Sequence, residues 1–184
     1  MLSANERVRE VTQLGEIAKT IRGGRLEAML EHGEPTLNLE RILTLFNQHS
    51  VEYVVVGGYA VAFHGYPRFT RDLDLFYRQT QGNADRILAA LREAGFTKIS
   101  LTRGDLLDPL LNYKLGRPPN QLDLNPSVKG ITWDEANQAA VNGEILGQSV
   151  RFLDFETLIT SKRAAGRPQD LADIDGLMRH LGEL

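Results

Sequence analysis

The sequence contains no cysteine and no long apolar segment. The first absence excludes disulfide bonds, thiolate metal sites and a cysteine nucleophile. No apolar run approaches the roughly 20 residues that span a bilayer, and residues 1–7 lack the hydrophobic core of a secretory signal. We therefore expect a cytoplasmic protein without a membrane partner.

Three common catalytic motifs are also missing from the sequence. There is no G-x-x-x-x-G-K-[ST] sequence for a P-loop and no H-E-x-x-H for a zinc protease. There is no G-x-S-x-G nucleophile elbow either. The formal net charge of −3 argues against a protein coated in positive charge for non-specific nucleic-acid binding, although it leaves a local basic patch open.

The size and composition of the chain are those of an ordinary globular protein. Its 184 residues are 42% hydrophobic and 24% charged, which predicts one domain with a sizeable core. We expect a helical N-terminal extension over residues 1–35 and an α/β domain over residues 36–184. In the extension, an apolar stripe packs either on this domain or on a second copy in a homodimer, and it comprises Val11, Leu14, Ala18 and Ile21.

Residues 54–76 hold the most informative stretch of the sequence. The short run Tyr53–Val56, rich in β-branched residues, predicts a buried strand. Gly57 and Gly58 then permit a sharp turn and a close approach to a ligand. Tyr59–His64 contains no helix breaker and predicts a short helix. Because free amides at a helix N-terminus favour phosphate, the turn is a candidate phosphate-binding element.

Two aspartates follow on the next predicted strand. Side chains alternate across a strand, so Asp72 and Asp74 project from one face while Leu73 and Leu75 enter the core. Neighbouring carboxylates repel each other, and a cation between them relieves that repulsion. Carboxylate oxygens are the ligands that Mg²⁺ and Mn²⁺ prefer. Either the pair binds a metal ion shared with a substrate phosphate, or it is a solvated strand face.

The combination of these features resembles the nucleotidyltransferase (DNA polymerase β-like) superfamily. The diglycine is separated by thirteen residues from Asp72-Leu73-Asp74, and Arg68–Asp74 is similar to the small bacterial branch that includes AbiEii-type toxins. The superfamily requires a third carboxylate on a neighbouring strand, and Asp123 in Gln121–Asn125 matches it. The resemblance covers Asn38 to about Leu181.

The resemblance implies a reaction and a set of site residues. Asp72, Asp74 and Asp123 are expected to be catalytic and to hold two Mg²⁺ (or Mn²⁺) ions on the triphosphate of an NTP such as ATP. A nucleoside monophosphate then passes to a hydroxyl acceptor, which is left open among an RNA 3′ end, a protein and a small molecule. If the protein is a toxin, an antitoxin is its partner. Nucleotide contacts are expected from Gly57, Gly58, Arg68, Thr70, Arg71 and Lys162.

The remaining pattern predicts a mixed β-sheet with helices on one side. Helices are expected to begin after Asn38, near Gly82 or Asn83, after Thr132 and after Asp154, with one more in the C-terminal segment. Strands are expected at 53–56, 72–76, 96–101, 110–115, 121–124, 144–146 and 149–152. The strands 110–115 and 121–124 form a hairpin through the turn 116–120 and bring Asp123 next to the strand of Asp72 and Asp74.

Lys162 lies on the apolar face of a predicted C-terminal helix, where a charged group needs a partner or a ligand. Asp170 lies on the core-facing side of the next helix. Either the two form a structural ion pair, or Lys162 contacts the nucleotide phosphates. Arg163, Arg167 and Asp173 are expected to face solvent.

Three functions are therefore in competition. The first is an active metal-dependent nucleotidyltransferase. The second is a catalytically silent module of the same fold that binds a protein partner, for which an intact set of three aspartates is not required. The third is a glycosyltransferase that uses Asp-x-Asp for a metal-bound nucleotide sugar, and in such an enzyme the diglycine has no role.

Overall fold

The computed structural model describes residues 3–8, 37–117 and 120–182. The apolar stripe from Val11 to Ile21 lies outside these residues. Residues 4–8 are helical and dock onto the domain, because Val8 is buried and the Arg7 guanidinium donates to the carbonyl oxygens of Ala62 (3.1 Å) and Phe63 (2.6 Å).

Six strands form one mixed sheet. In chain order they are β1 (Tyr53–Val55), β2 (Asp72–Tyr77), β3 (Tyr113–Arg117), β4 (Asn120–Asn125), β5 (Val141–Ile145) and β6 (Gln148–Phe152). The spatial order is β3-β4-β2-β1-β6-β5. The neighbours β2 and β4 are parallel, as are β1 and β6, while the other three pairs are antiparallel. The predicted α/β class and mixed sheet are confirmed.

Helices connect and cover these strands. From residue 37 onward they are α1 (Leu39–Gln48), α2 (Gly57–Phe63), α3 (Gln81–Glu93), α4 (Arg103–Leu107), α5 (Trp133–Ala139), α6 (Phe155–Ala165) and α7 (Pro168–Gly182). The expected N-caps are present, since the side chains of Asn38, Thr132 and Asp154 accept backbone amides of the first turn. The side chain of Thr80 caps α3, a few residues before the position that the sequence suggests.

One predicted strand segment is wrong, and another is correct only in its second half. Residues 96–101 pair with no strand among the described residues, although Phe96 and Leu101 are buried, and α4 follows them. The strand expected at 110–115 begins only at Tyr113, and Leu110 is 90% exposed. Residues 96–101 and 110–112 contain apolar residues but have no strand partner among the described residues to complete a ladder of hydrogen bonds, whereas residues 113–115 pair with β4.

The sheet presents a different chemistry on each face. Leu73 and Leu75 of β2 are fully buried in the core, whereas Asp72 and Asp74 point to the other face. This is the alternation that the sequence predicts for a strand covered on one side. None of the described helices has both the length and the apolar character needed to cross a bilayer.

Candidate active site

The candidate site is built on the polar face of the three strands β2, β4 and β3. Asp74 is the register partner of Asp123 across the parallel pair, and Asp123 is in turn opposite Lys114 across the hairpin. One row across the sheet therefore reads Asp74, Asp123, Lys114. The row below it begins with Asp72 and Gln121. The structure thus brings together the three carboxylates that the sequence singles out, which we call the sheet triad (Asp72, Asp74 and Asp123).

The diglycine is packed directly against β2. Gly57 has a φ of +64°, and a Cβ added to it would lie 2.1 Å from Asp74 Oδ2. A Cβ on Gly58 would lie 2.6 Å from Thr70 Oγ1. Both distances are too short for real atoms, so only glycine lets the start of α2 approach β2 this closely. The two glycines therefore bring the N-terminus of α2 against Asp74 and Thr70.

The surroundings of Asp74 disfavour the ionised form of its carboxyl. Burial raises its pKa to about 6, and the negative charges of Asp72 and Asp123 contribute to the rise. The amide of Asn125 donates to Asp74 Oδ1 at 3.3 Å and acts in the opposite direction. A carboxyl that is difficult to ionise beside two other carboxylates is the arrangement that an added cation stabilises.

The triad fits a divalent metal ion in the chemistry of its donors, but its side chains are not arranged around one ion. As placed, no three acidic or histidine side chains among the described residues are close enough to share a metal. Both oxygens of Asp123 are already in use: Oδ2 pairs with Lys114, and Oδ1 accepts from the Gln121 amide at 2.6 Å. A metal ion bound by all three residues would therefore either share Asp123 with these partners or displace one of them.

A cavity of about 530 Å³ opens over the triad. Gly57, Gly58, Arg68, Thr70 and Lys162 line it, together with the three aspartates. Thr70 Oγ1 also donates to Asp72 Oδ1 at 3.1 Å. Most of the expected site residues are therefore neighbours around one space. Arg71 differs, because it is exposed and is not among the described residues that line this cavity.

Lys162 and Asp170 form a buried ion pair, which is the structural alternative that the sequence leaves open for them. Their charged atoms are 3.2 Å apart, and Lys162 Nζ also lies 2.7 Å from Asp173 Oδ2. Both Lys162 and Asp170 line the cavity as well. The pair fixes α6 against α7, and the location of Lys162 keeps its proposed contact with the nucleotide open.

Asp173 is the residue that sequence reasoning missed. It is fully buried rather than solvent-facing, and it accepts two hydrogen bonds from Arg68, at 2.6 and 2.9 Å. Gln169 donates to it at 2.9 Å. Burial alone would raise its pKa, but the hydrogen bonds from Arg68 and Lys162 lower it below the ordinary value. The signal was available in the sequence, since Asp170, Asp173 and Leu177 follow helical spacing along the buried stripe of α7.

The ion pairs around Asp170 and Asp173 form a second charged group, which we call the helix cluster. Arg167 belongs to it, as its guanidinium donates to Asp170 Oδ2 at 2.7 Å although its side chain is 75% exposed. Arg167 is thus exposed as expected. The members of the helix cluster are Arg68, Lys162, Arg167, Asp170 and Asp173.

Sequence comparison places the chain beside known nucleotide-transferring proteins. The profile of the family described as aminoglycoside-2''-adenylyltransferase matches residues 38–177, a span that contains the diglycine, the sheet triad and the helix cluster. No curated protein is significantly similar to the chain in sequence.

Three solved structures resemble the fold. The solution structure of the antibiotic-resistance factor ANT(2'')-Ia has a TM-score of 0.50 at 14% identity, over 79% of this chain and 83% of that one. A crystal structure from Thermotoga maritima, described as a nucleotidyltransferase, has a TM-score of 0.47 at 17% identity, over 79% and 91%. An antigenic nucleotidyltransferase-like protein from Paracoccidioides brasiliensis has a TM-score of 0.46 at 19% identity, over 79% and 78%. At these identities the likeness concerns the fold alone.

Proposed function

Since the chain belongs to the aminoglycoside-2''-adenylyltransferase family and is a nucleotidyltransferase, we propose that it moves a nucleoside monophosphate from an NTP to a hydroxyl acceptor with divalent metal ions held by the sheet triad. The observation that carries this proposal is the register of Asp74 and Asp123 on neighbouring strands. With Asp72 two residues away on the same face, three carboxylates meet at one cavity.

In the proposed reaction, an oxygen of the acceptor hydroxyl bonds to the α-phosphorus of the NTP. The bond from that phosphorus to the bridging oxygen breaks, and pyrophosphate leaves. Asp123 takes the hydroxyl proton. Two Mg²⁺ or Mn²⁺ ions bound to the triad would supply positive charge to the phosphates and make the acceptor hydroxyl more acidic.

The triphosphate has candidate ligands among the other residues that line the cavity. Gly57 and Gly58 line the cavity at the first turn of α2, where backbone amides have no partner within the helix and favour phosphate. Arg68 and Lys162 line the cavity while Asp173 holds both in place. Thr70 supports Asp72. A nucleotide contact from Arg71 stays a prediction, and the position of Arg71 outside the cavity lining does not support it.

The family description names an aminoglycoside as acceptor, which makes this antibiotic class one candidate. Aminoglycosides carry several ammonium groups, and such groups require carboxylates. The described lining residues offer four carboxylates, of which three form the triad and the fourth, Asp170, is paired with Lys162 and Arg167. They offer five cations, namely Arg68, Lys114, Lys129, Lys162 and Arg167. Asp173 pairs with two of these cations, Arg68 and Lys162, so the cations do not outnumber the carboxylates and the charge pattern does not select among the acceptors.

Label transfer tests the reaction and its acceptor together. The protein is incubated with Mg²⁺ and each α-³²P NTP, with total RNA, a cell lysate or tobramycin in separate arms. Asp72→Ala/Asp74→Ala is the control. Label on one acceptor with the wild type alone supports the proposal and identifies the acceptor class. Absence of label in every arm, with a folded sample, would favour the silent module.

The silent binding module is the second candidate function. Whether the protein acts as a toxin with an antitoxin partner depends on the choice between this module and an active transferase. A module that only holds a protein partner tolerates Asp74→Ala without loss of function, whereas a transferase does not. The AbiEii-like branch, a toxin role and an antitoxin partner stay predictions, as do the homodimer and the division at residue 35. A cytoplasmic location agrees with the use of an NTP.

A further inference from the structure

Lys114 occupies a particular position relative to the triad. It lies on β3, an edge strand of the sheet, directly opposite Asp123. Its side chain is 61% exposed, yet its ammonium pairs with Asp123 Oδ2, which is almost completely buried. A flexible lysine thus reaches inward from the sheet edge and supplies a positive charge at the third carboxylate.

The other cations of the cavity are held elsewhere. Lys162 pairs with Asp170 and Asp173, Arg68 pairs with Asp173, and Arg167 pairs with Asp170. Lys129 lines the cavity and forms no ion pair with the triad among the described contacts. Of the described cations, Lys114 is therefore the one in direct contact with a triad carboxylate.

A divalent ion and the Lys114 ammonium need the same carboxylate. Because both oxygens of Asp123 already have partners, a metal ion that binds Asp123 meets the Lys114 ammonium at the same carboxylate. The amide of Gln121 is neutral, so it opposes a cation weakly. Lys114 opposes the divalent cation in two ways: its ammonium pairs with Asp123 Oδ2, and its positive charge repels the cation.

We propose that Lys114 competes with the divalent cation for Asp123 and so sets the metal affinity of the site. The inference rests on the proposed function, because it concerns the metal ions that function requires. Metal binding then displaces the ammonium from Asp123, and the exposed edge strand gives the lysine stem room to move. Lys114 acts here as a positioning residue that works through Asp123.

Direct Mn²⁺ binding tests this competition without any turnover. Free Mn²⁺ is measured by its electron paramagnetic resonance signal at fixed pH and ionic strength, without nucleotide. We compare wild type, Lys114→Met and the matched control Lys129→Met. Removing one positive charge in contact with a metal ligand should tighten Mn²⁺ binding about tenfold. Lys129→Met should change it by no more than about twofold.

A double-mutant cycle with Asp123→Asn shows whether the effect passes through that carboxylate. The gain from Lys114→Met should disappear when Asp123→Asn is already present. An unchanged or weaker affinity in Lys114→Met would overturn the inference while leaving the proposed function intact. Equal gains in Lys114→Met and Lys129→Met would also overturn it, because they indicate a general charge effect.

Two further outcomes bear on the inference and on the proposed function. Mn²⁺ binding by Lys114→Met but not by wild type would be the strongest support for competition. If neither protein binds Mn²⁺ at millimolar concentration without nucleotide, the inference fails, and if neither binds it with a non-hydrolysable ATP analogue either, the metal-dependent function fails as well. Lys114 is exposed on an edge strand, so its variants should fold, and circular dichroism together with a Lys114→Gln variant verifies that.

Discussion

The two charged groups of this cavity are built in opposite ways. The sheet triad has three carboxylates and is contacted by one ammonium, that of Lys114. The helix cluster has two carboxylates, Asp170 and Asp173, and three cations hold them. Asp123, Asp170 and Asp173 are all buried, with exposures of 5%, 1% and 0%. Burial alone therefore does not distinguish the two groups.

The pKa values show what does distinguish them. Burial raises the pKa of Asp74 to about 6, with Asp72 and Asp123 adding to the rise. Burial acts in the same direction on Asp170 and Asp173, but hydrogen bonds from Arg167, Lys162 and Arg68 lower their pKa values overall. A carboxylate cluster with fewer cations than carboxylates can bind a metal ion, whereas one with more cations than carboxylates holds the fold together.

The largest expected effect is on catalysis. Asp74→Asn keeps the shape of the side chain but removes its charge, so we expect NMP transfer to fall at least about a thousandfold. Thr160→Ser, an exposed change on α6, is the control. Initial rates of label transfer provide the measurement. A residual rate above a tenth of wild type would mean that Asp74 is outside the reacting centre.

The next largest effect is on folding. Asp173→Asn leaves Arg68 and Lys162 without their buried carboxylate, so the free energy of unfolding should fall by about 3 kcal/mol or more. The matched control is Asp175→Asn, two residues along the same helix, where an exposed pair with Arg179 is lost and the expected change is below about 1 kcal/mol. Urea denaturation measures both. Equal losses would show that the helix cluster stabilises the fold no more than an exposed ion pair does.

The pH dependence of stability should have opposite signs in the two clusters. The folded-state pKa of Asp74, about 6, lies above the ordinary 3.8, so the folded protein binds more protons between these values. Its contribution to stability therefore decreases by about 3 kcal/mol as the pH rises from about 4 to 6. Asp170 and Asp173 have lowered pKa values, so their contribution is present at neutral pH and is lost in acid, below the ordinary value.

Metal-free denaturation curves at several pH values measure this difference. Asp74→Asn should flatten the decrease between pH 4 and 6, and its loss of stability in stronger acid should match that of wild type. A variant curve parallel to that of wild type throughout would show that Asp74 ionises normally.

A smaller effect tests the packing beneath the triad. In Gly58→Ala the new methyl group would meet Thr70 Oγ1 at 2.6 Å, so β2 or α2 has to shift, at a cost of about 1 to 3 kcal/mol. Gly82→Ala is the matched control, because no atom lies within 4 Å of its added Cβ inside α3. That control should be neutral or stabilise the protein by up to about 1 kcal/mol. Thermal unfolding distinguishes the two variants.

Much of the sheet and the triad follows from local sequence. The alternation of Asp72, Leu73, Asp74 and Leu75 specifies which side chains enter the core, and a one-residue slip would bury both carboxylates. The sequence indicates that the diglycine permits a close approach of the backbone. It does not indicate that Thr70 and Asp74 are the residues approached, because they lie outside α2.

The features that sequence reasoning missed depend on strand register and on pairing partners. A turn over residues 116–120 would centre the hairpin on residue 118 and place Lys114 opposite Leu122. The observed register places it opposite Asp123, one residue further along, and that single step creates the ion pair. The segment 96–101 has strand-like alternation, but whether a neighbouring strand exists to pair with it is a property of the whole fold.

The most direct test of the central claim is metal-dependent stabilisation of wild type and Asp74→Asn. Thermal unfolding is followed at pH 7.5 with and without Mn²⁺ and a non-hydrolysable ATP analogue. We expect Asp74→Asn to be the more stable protein without ligand, because it lacks the repelled charge, and to gain nothing from Mn²⁺ and nucleotide that raise the Tm of wild type. Equal increases in Tm for the two proteins would contradict the assignment of the sheet triad as the metal and nucleotide site.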